Sequence, residues 1–277
     1  MTTFPRTEIG GVSVSRMIVG SNWFLGFTHA SAAKDKLVRE WMTVDRIADV
    51  LEVFLKEGVD TVMGLLGVPV FYDAVREAEQ RAGRKLIVIS TPGWDIRDTP
   101  EGYAAAEQVI DKQAELGATI CMPHQICTDS LVRMPERRIV QMDRYCKMIR
   151  DRGMIPGLST HMPQTIVYAD ESGLDVETYL SIYNAAGFLM QLEADWTYRI
   201  IWNAKKPVCT IKPLAGGRLL PLVGLAFNWS TIRDKDLVTV GVSSPDEAHE
   251  VVEISRALLD RRMVDVELQK TRSKASV

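Results

Sequence analysis

Three of the four histidines, His29, His124 and His161, fall in or just beyond segments that read as strand ends. Imidazole is an acid–base group near neutral pH and a common metal ligand. Three imidazoles converging on one mouth would hold Zn, Mn or Fe and leave a position open for water or substrate. Such an ion would lower the pKa of bound water or polarise a carbonyl. A divalent metal held by His29, His124 and His161 is therefore the first cofactor expected. No short HxH or HExxH spacing accompanies the three, so a second reading stands beside it. In that reading His124 is a pocket residue, His161 an acid–base or hydrogen-bonding residue, and His29 a mobile-loop residue at the surface. His249 lies inside the last helical pattern, where a surface role is expected.

Lys212 ends a strand pattern and is followed at once by Ala215-Gly216-Gly217-Arg218. Its ammonium would anchor a carboxylate or phosphate, or form a Schiff base if desolvation lowers its pKa. The alternative is a lysine reaching solvent from a strand end. The glycine loop offers either backbone N–H donors for an anion, with Arg218 beside them, or a plain tight turn. Asn22 and Trp23, Trp94 and Asp95, and Tyr183 and Asn184 follow three further strands. Together they would line a pocket for a small oxygenated substrate, although each aromatic alone also serves packing. Glu193 and Asp195 read as a base, a fourth metal ligand or a solvated helix start. The segment from Asn22 to Glu40 is long and rich in small residues, as a lid over the mouth would be.

These groups need a scaffold that brings loop residues together, and the apolar pattern supplies one. Strands read as Arg16–Gly20, Thr61–Gly64, Leu86–Ser90, Thr119–Met122, Ile155–Ser159, Tyr179–Tyr183, Val208–Lys212 and Val238–Val242. Several are continuous apolar runs, expected where both faces of a sheet are covered. Helical stripes fill the gaps: Thr43–Glu57, Val70–Ala82, Ala104–Leu116, Pro135–Arg152, Pro163–Glu171, Asp195–Lys206, Leu219–Thr231 and Pro245–Leu259. Eight alternating units predict one closed (β/α)8 TIM barrel spanning residues 1–277, with a polar extension at about 261–277. In such a barrel the loops after the strands build the active site.

The chain has 277 residues, 46% hydrophobic and 25% charged, with a formal net charge of −3. This balance is that of a globular protein, and the dispersed Lys and Arg give no nucleic-acid stripe. No apolar run approaches the roughly 20 residues of a membrane span. The four cysteines, Cys121, Cys127, Cys146 and Cys209, form no CxxC pair. They read as reduced thiols of a cytoplasmic protein, with Cys127 the one candidate for a functional role.

Several ordered motifs resemble the aldo-keto reductases, (β/α)8 barrels that use NADPH. Ile9-Gly10-Gly11-Val12-Ser13-Val14-Ser15-Arg16 looks like their entry hairpin. Gly157-Leu158-Ser159-Thr160, Tyr183-Asn184, Pro213-Leu214-Ala215-Gly216-Gly217-Arg218 and Ser243-Ser244-Pro245 resemble their fifth- to eighth-strand ends. The resemblance implies an Asp, Tyr, Lys and His tetrad, which this chain departs from. Met63 stands at the Asp position and Pro92 at the Lys position. Gly64-Leu65-Leu66-Gly67 occupies the place of the Tyr, with Tyr72 too far along. Only His124 matches. Among the nicotinamide-site positions Ser159 remains, but Leu180 replaces a Gln, Ile211 a Tyr and Thr160 an Asn. No Lys or Arg follows Ser243 to take a 2′-phosphate.

The expectation is therefore an aldo-keto-reductase-like barrel acting on a small sugar, polyol or keto acid. Lyase, isomerase or hydrolase chemistry would run on His124, His161 and Lys212, with Asn22, Trp23, Trp94, Tyr183, Asn184 and Arg218 binding substrate. A divergent NADPH-dependent reductase and an inactive barrel with a binding role are the alternatives. NADPH ranks behind a metal as cofactor. A homo-oligomer is admissible, and no nucleic-acid or membrane partner is expected.

Overall fold

The computed structural model describes residues 3–267. The chain opens with a hairpin, β1 (Arg6–Ile9) against β2 (Val12–Ser15). Only Gly10 and Gly11 join the two, with φ of +56° and +84°. Two successive left-handed residues are what a tight hairpin turn demands. Ile9 and Val14 pack with Ile18, Ile120 and Leu237, so the hairpin closes the end of the barrel where the strands begin.

The barrel strands are β3 (Met17–Gly20), β4 (Thr61–Gly64), β5 (Ile87–Ser90) and β6 (Ile120–Cys121). A small antiparallel ribbon, β7 (Val132–Arg133) with β8 (Arg138–Ile139), intervenes. The barrel resumes with β9 (Ile155–Pro156), β10 (Leu158–Ser159), β11 (Tyr179–Ile182), β12 (Val208–Ile211) and β13 (Leu237–Val240). All barrel pairings are parallel, in the order β10-β11-β12-β13-β3-β4-β5-β6-β9. β9 and β10 are two halves of one strand divided at Gly157. The Gly157 amide donates to Cys121 and the Leu158 amide to Thr178. The strand thus passes from one neighbour to the other, and the sheet closes on itself as eight staves.

Eight helices form the outer ring: α2 (Val44–Lys56), α3 (Pro69–Ala82), α4 (Pro100–Glu115), α6 (Met142–Asp151), α7 (Gln164–Ser172), α8 (Ala194–Asn203), α9 (Pro221–Thr231) and α10 (Pro245–Leu259). Two more lie in loops after strands, α1 (Ala32–Trp41) and α5 (Gln125–Leu131). The apolar core is double. One cluster fills the barrel interior, including Ile18, Met63, Ile89, Met122, Leu180 and Cys209. The other lies between strands and helices and includes Val62, Phe71, Tyr145 and Tyr179. Alternate strand residues feed the two layers, as a pleated strand requires.

One expected boundary is corrected. Helix α6 begins at Met142 rather than Pro135, because Arg137 and Gln141 adopt φ of +51° and +63° and interrupt the helix. The segment Asn22–Glu40 carries most of α1, capped by the Ser31 hydroxyl, which accepts from the Lys34 amide. The polar extension enters the described residues only over 261–267, where it is irregular; the remainder lies outside them. Among the described residues no helix is long and apolar enough to cross a membrane.

Candidate functional site

Parallel closure sends every strand end to one mouth, where the loops after β3, β6, β10 and β12 bring His29, His124, His161 and Lys212. Burial, together with the charge fields of Lys212, His124 and His29, pulls the His161 pKa down to about 4. Charge effects of that kind act over a few ångströms, so the four basic groups form one neighbourhood.

Its centre is a contact between two loops. Lys212 Nζ lies 2.8 Å from His29 Nε2. Burial lowers the Lys212 pKa to about 8, and burial beside Lys212 lowers that of His29. A neutral imidazole accepting a hydrogen bond from an ammonium is the state these shifts favour. Both residues hold left-handed backbones, φ +57° at His29 and +61° at Lys212. Non-glycine residues adopt this region at a cost of about 1–3 kcal/mol, and such strain clusters at functional sites.

Surrounding contacts fix the pair. Asp35 of α1 accepts from the Thr28 amide at 2.9 Å and its hydroxyl at 2.6 Å, tying the His29 loop to α1. Arg218 donates to Ala215 O at 3.0 Å and His29 O at 3.3 Å, and its guanidinium lies 4.0 Å from the Phe188 ring centroid. Phe188 in turn meets the His29 ring edge-on at 6.3 Å. Arg218 is thus a clasp between the two loops as well as a cation. The glycine loop itself offers few free donors. The amides of Ala215, Gly217, Arg218 and Leu219 already donate to Lys212 O or Leu214 O, so the tight-turn reading holds and anion affinity rests on the side chains.

His161 and His124 are held separately. Asp129 of α5 accepts from the His161 amide at 3.1 Å and from the Thr160 hydroxyl. His124 caps α5, its Nδ1 accepting from the Ile126 amide at 3.3 Å. Asp129 escapes the sequence reading because the seven-residue α5 shows no helical period; its one signal is an acidic residue five positions after His124.

The three-histidine metal centre is a correction. Among the described residues no three His, Cys, Asp or Glu side chains are grouped so as to hold a metal ion. The loops direct these rings elsewhere: His29 Nε2 faces the Lys212 ammonium and His124 Nδ1 accepts from the Ile126 amide.

The expected substrate-binding residues divide. Trp23 stands at the mouth, its Cδ1 so near Gly241 that an added Cβ there would approach within 2.7 Å. Asn22 is exposed, its carbonyl accepting from the Phe27 amide. Trp94 packs 5.2 Å from the Tyr145 ring in the outer core. Tyr183 is buried 4.9 Å from Phe227. Asn184 is buried and makes both its side-chain bonds to the Phe188 backbone. These last three support the mouth from behind. Asp95 pairs with Arg97, and Glu193 and Asp195 are an exposed helix start. Cys127 is buried, with its pKa raised by burial, which is an inert thiol.

The floor is apolar. Met63 and Leu180 belong to the interior cluster, and the partly buried Ile211 packs against it. Thr239 is paired with Ile211 across β12–β13, on the same face as Leu237, and its buried hydroxyl has no partner. At the last loop, Glu247 accepts from both the Ser243 amide (2.7 Å) and hydroxyl (3.0 Å). A phosphate seeking those donors would meet a carboxylate.

His161 makes stability pH-dependent. Its folded pKa lies below the unfolded value of about 6.5, so the unfolded chain binds the proton more tightly. Its contribution is intact above pH 6.5 and is lost as pH falls toward 4, by about 2–3 kcal/mol at the limit. Thermal melts should therefore drop across that window, and His161→Gln should flatten the drop. An unchanged slope in the variant would show that His161 is not buried neutral.

No family model and no curated protein matches this chain. Solved structures do. A protein of Pseudomonas aeruginosa assigned to the aldo-keto reductases superimposes with TM-score 0.66 at 14% identity, over 92% of this chain and 96% of that one. An aldo/keto reductase of Brucella melitensis gives 0.61 at 13% identity, over 98% and 95%. An aldo-keto reductase of Klebsiella pneumoniae in complex with NADPH gives 0.58 at 14% identity, over 98% and 99%. The fold is therefore the aldo-keto-reductase-like (β/α)8 barrel.

Proposed function

We propose that this barrel acts on the carbonyl group of a small oxygenated substrate, such as a sugar or keto acid, as a divergent reductase. The observation that carries the reading is Lys212, a half-buried amine at the mouth with its pKa lowered to about 8 and its Nζ 2.8 Å from His29. An acid whose pKa sits near the working pH is suited to protonate an oxygen on which negative charge develops. It replaces the proton donor that the resemblance calls for and this chain lacks. Lys212 Nζ gives the proton, neutral His29 Nε2 holds the ammonium in place, and neutral His161 is a hydrogen-bonding partner for the substrate oxygen. Trp23 shields the β13 side of the mouth from water.

Reduction needs a hydride, which a nicotinamide dinucleotide supplies when bound. Ile211 and Leu180 offer an apolar bed for a ring, and the unpartnered Thr239 hydroxyl offers one polar contact. Glu247 favours a free ribose hydroxyl over a 2′-phosphate, because a carboxylate accepts from the former and repels the latter. The fit is thus to NADH rather than NADPH. The solved neighbours named as reductases support the reductive direction.

Titration of the purified protein with NADH and NADPH, followed by turnover of 2-oxo acids and aldoses, tests the reading. NADH should bind more tightly than NADPH and support turnover. Binding of neither would remove the reductive reading. The non-redox reading keeps one specific support, the apolar Met63 and Pro92 at the positions of the tetrad's Asp and Lys.

A further inference from the structure

The mouth carries a second chemistry that carbonyl reduction does not use. Lys212 Nζ has no carboxylate within ion-pair distance among the described residues, unlike Lys147, which pairs with Asp151, or Lys206, which pairs with Glu177. Its one close polar contact is a ring nitrogen that accepts protons. The stem rises from a left-handed backbone at the end of β12, and Arg218 pins the opposing loop by its His29 carbonyl.

We infer that Lys212 Nζ is a nucleophile that condenses with the carbonyl carbon of a small 2-oxo acid to form a protonated imine. An amine facing imidazole, with no anion to hold it as a salt, is free to act from its neutral form. Burial adds to this by increasing the neutral fraction near pH 7. In the first step the nitrogen lone pair forms the C–N bond and the C=O π pair moves to oxygen. His29 Nε2 takes the proton that nitrogen sheds and returns it to oxygen, giving a carbinolamine. The proton that the Lys212 ammonium released to solvent on becoming neutral is taken up by that oxygen, which departs as water with the C–O pair while the nitrogen lone pair makes the C=N bond. The sum is ketone plus ammonium giving iminium plus water; no electrons are gained or lost. Arg218, a rim cation, favours a carbonyl compound that carries a carboxylate. The iminium withdraws electrons from the neighbouring carbon and makes its proton more acidic, which is the entry to lyase or isomerase chemistry.

The inference goes beyond the reductive reading and does not depend on a dinucleotide. The full-length protein is incubated with pyruvate and sodium cyanoborohydride, which reduces the iminium to a stable secondary amine, then digested and mapped by mass spectrometry. At pH 7 the adduct on Lys212 should exceed that on exposed Lys36 or Lys147 by about tenfold or more, because burial raises the neutral fraction of Lys212. Labelling should rise with pH to a midpoint near 8, and His29→Gln should slow it. Adducts spread evenly over the lysines, or absent from Lys212, would overturn the inference. Since labelling is read site by site on the wild-type chain, no variant needs to fold for the result to count. Adduct formation without dinucleotide binding would refute only the reductive reading, and the reverse result only this one.

Discussion

Replacing Asp236 by Ala should destabilise the protein by about 3–5 kcal/mol, the usual cost of removing one partner of a buried ion pair. Asp236 is fully buried at the start of β13. One of its oxygens accepts from Arg233 Nη2 at 2.7 Å and the Val208 amide at 2.8 Å. The other accepts from Arg233 Nε at 2.7 Å and the Arg233 amide at 2.9 Å. Removing the carboxylate leaves two amides unpaired and a guanidinium whose remaining partners are only the carbonyls of Trp202, Ala204 and Lys206. Arg16, itself buried, donates to the backbone carbonyls of Asp236 and Arg233; those bonds remain, but this second cation loses the favourable field of the Asp236 charge. Denaturant melts of Asp236→Ala and Asp236→Asn separate the parts, since the amide keeps one acceptor and the volume. The surface pair Lys147–Asp151 is the control, worth about 0.5 kcal/mol or less. A loss below about 1 kcal/mol in Asp236→Ala would mean that the network is relaxed by water. The consequence reaches the site, because the Val208–Asp236 bond sets the start of β12 beside β13, the strands that carry Lys212 and Thr239.

Much of this arrangement is legible in the residues. Eight apolar runs separated by helical stripes specify the staves, and every one is a strand within a residue or two of its expected ends. What escapes is local. Helix α1 is polar, with Val38 its one buried residue, so it carries no apolar stripe to read. Helix α5 is too short to show a period. Tyr183 and Asn184 sit just after β11, where a shift of one position exchanges the mouth for the outer layer. Strand order puts Trp94 in a loop at the mouth, but its ring is held by Tyr145 of α6, a contact between elements far apart in sequence. Strand order alone puts the histidines at one mouth. That His29 would meet Lys212 rather than a metal depends on two left-handed backbone positions, which residue type does not announce.

Lys212→Met should lower kcat/KM for the carbonyl substrate by about 10²–10⁴-fold, the usual contribution of a positioned general acid, while raising stability. The two signs follow from one cause. Burial lowers the folded pKa of Lys212 to about 8, so below that pH the folded state holds an ammonium that water would solvate better. The unfolded chain binds this proton more tightly, and stability rises with pH between about 8 and 10.4. At pH 7 the variant should therefore gain about 1–2 kcal/mol, after discounting for partial exposure. Lower activity with higher stability cannot come from misfolding. The pH profile supplies a second check. As a proton donor Lys212 must be charged, so wild-type kcat/KM should be level below pH 8 and fall tenfold per unit above it, whereas the variant's residual rate should lack that limb. Lys212→Arg keeps the charge but does not release its proton, and should remain slow. Rates in Lys212→Met within a few-fold of wild type would remove Lys212 from the chemistry and leave it a cation at the rim.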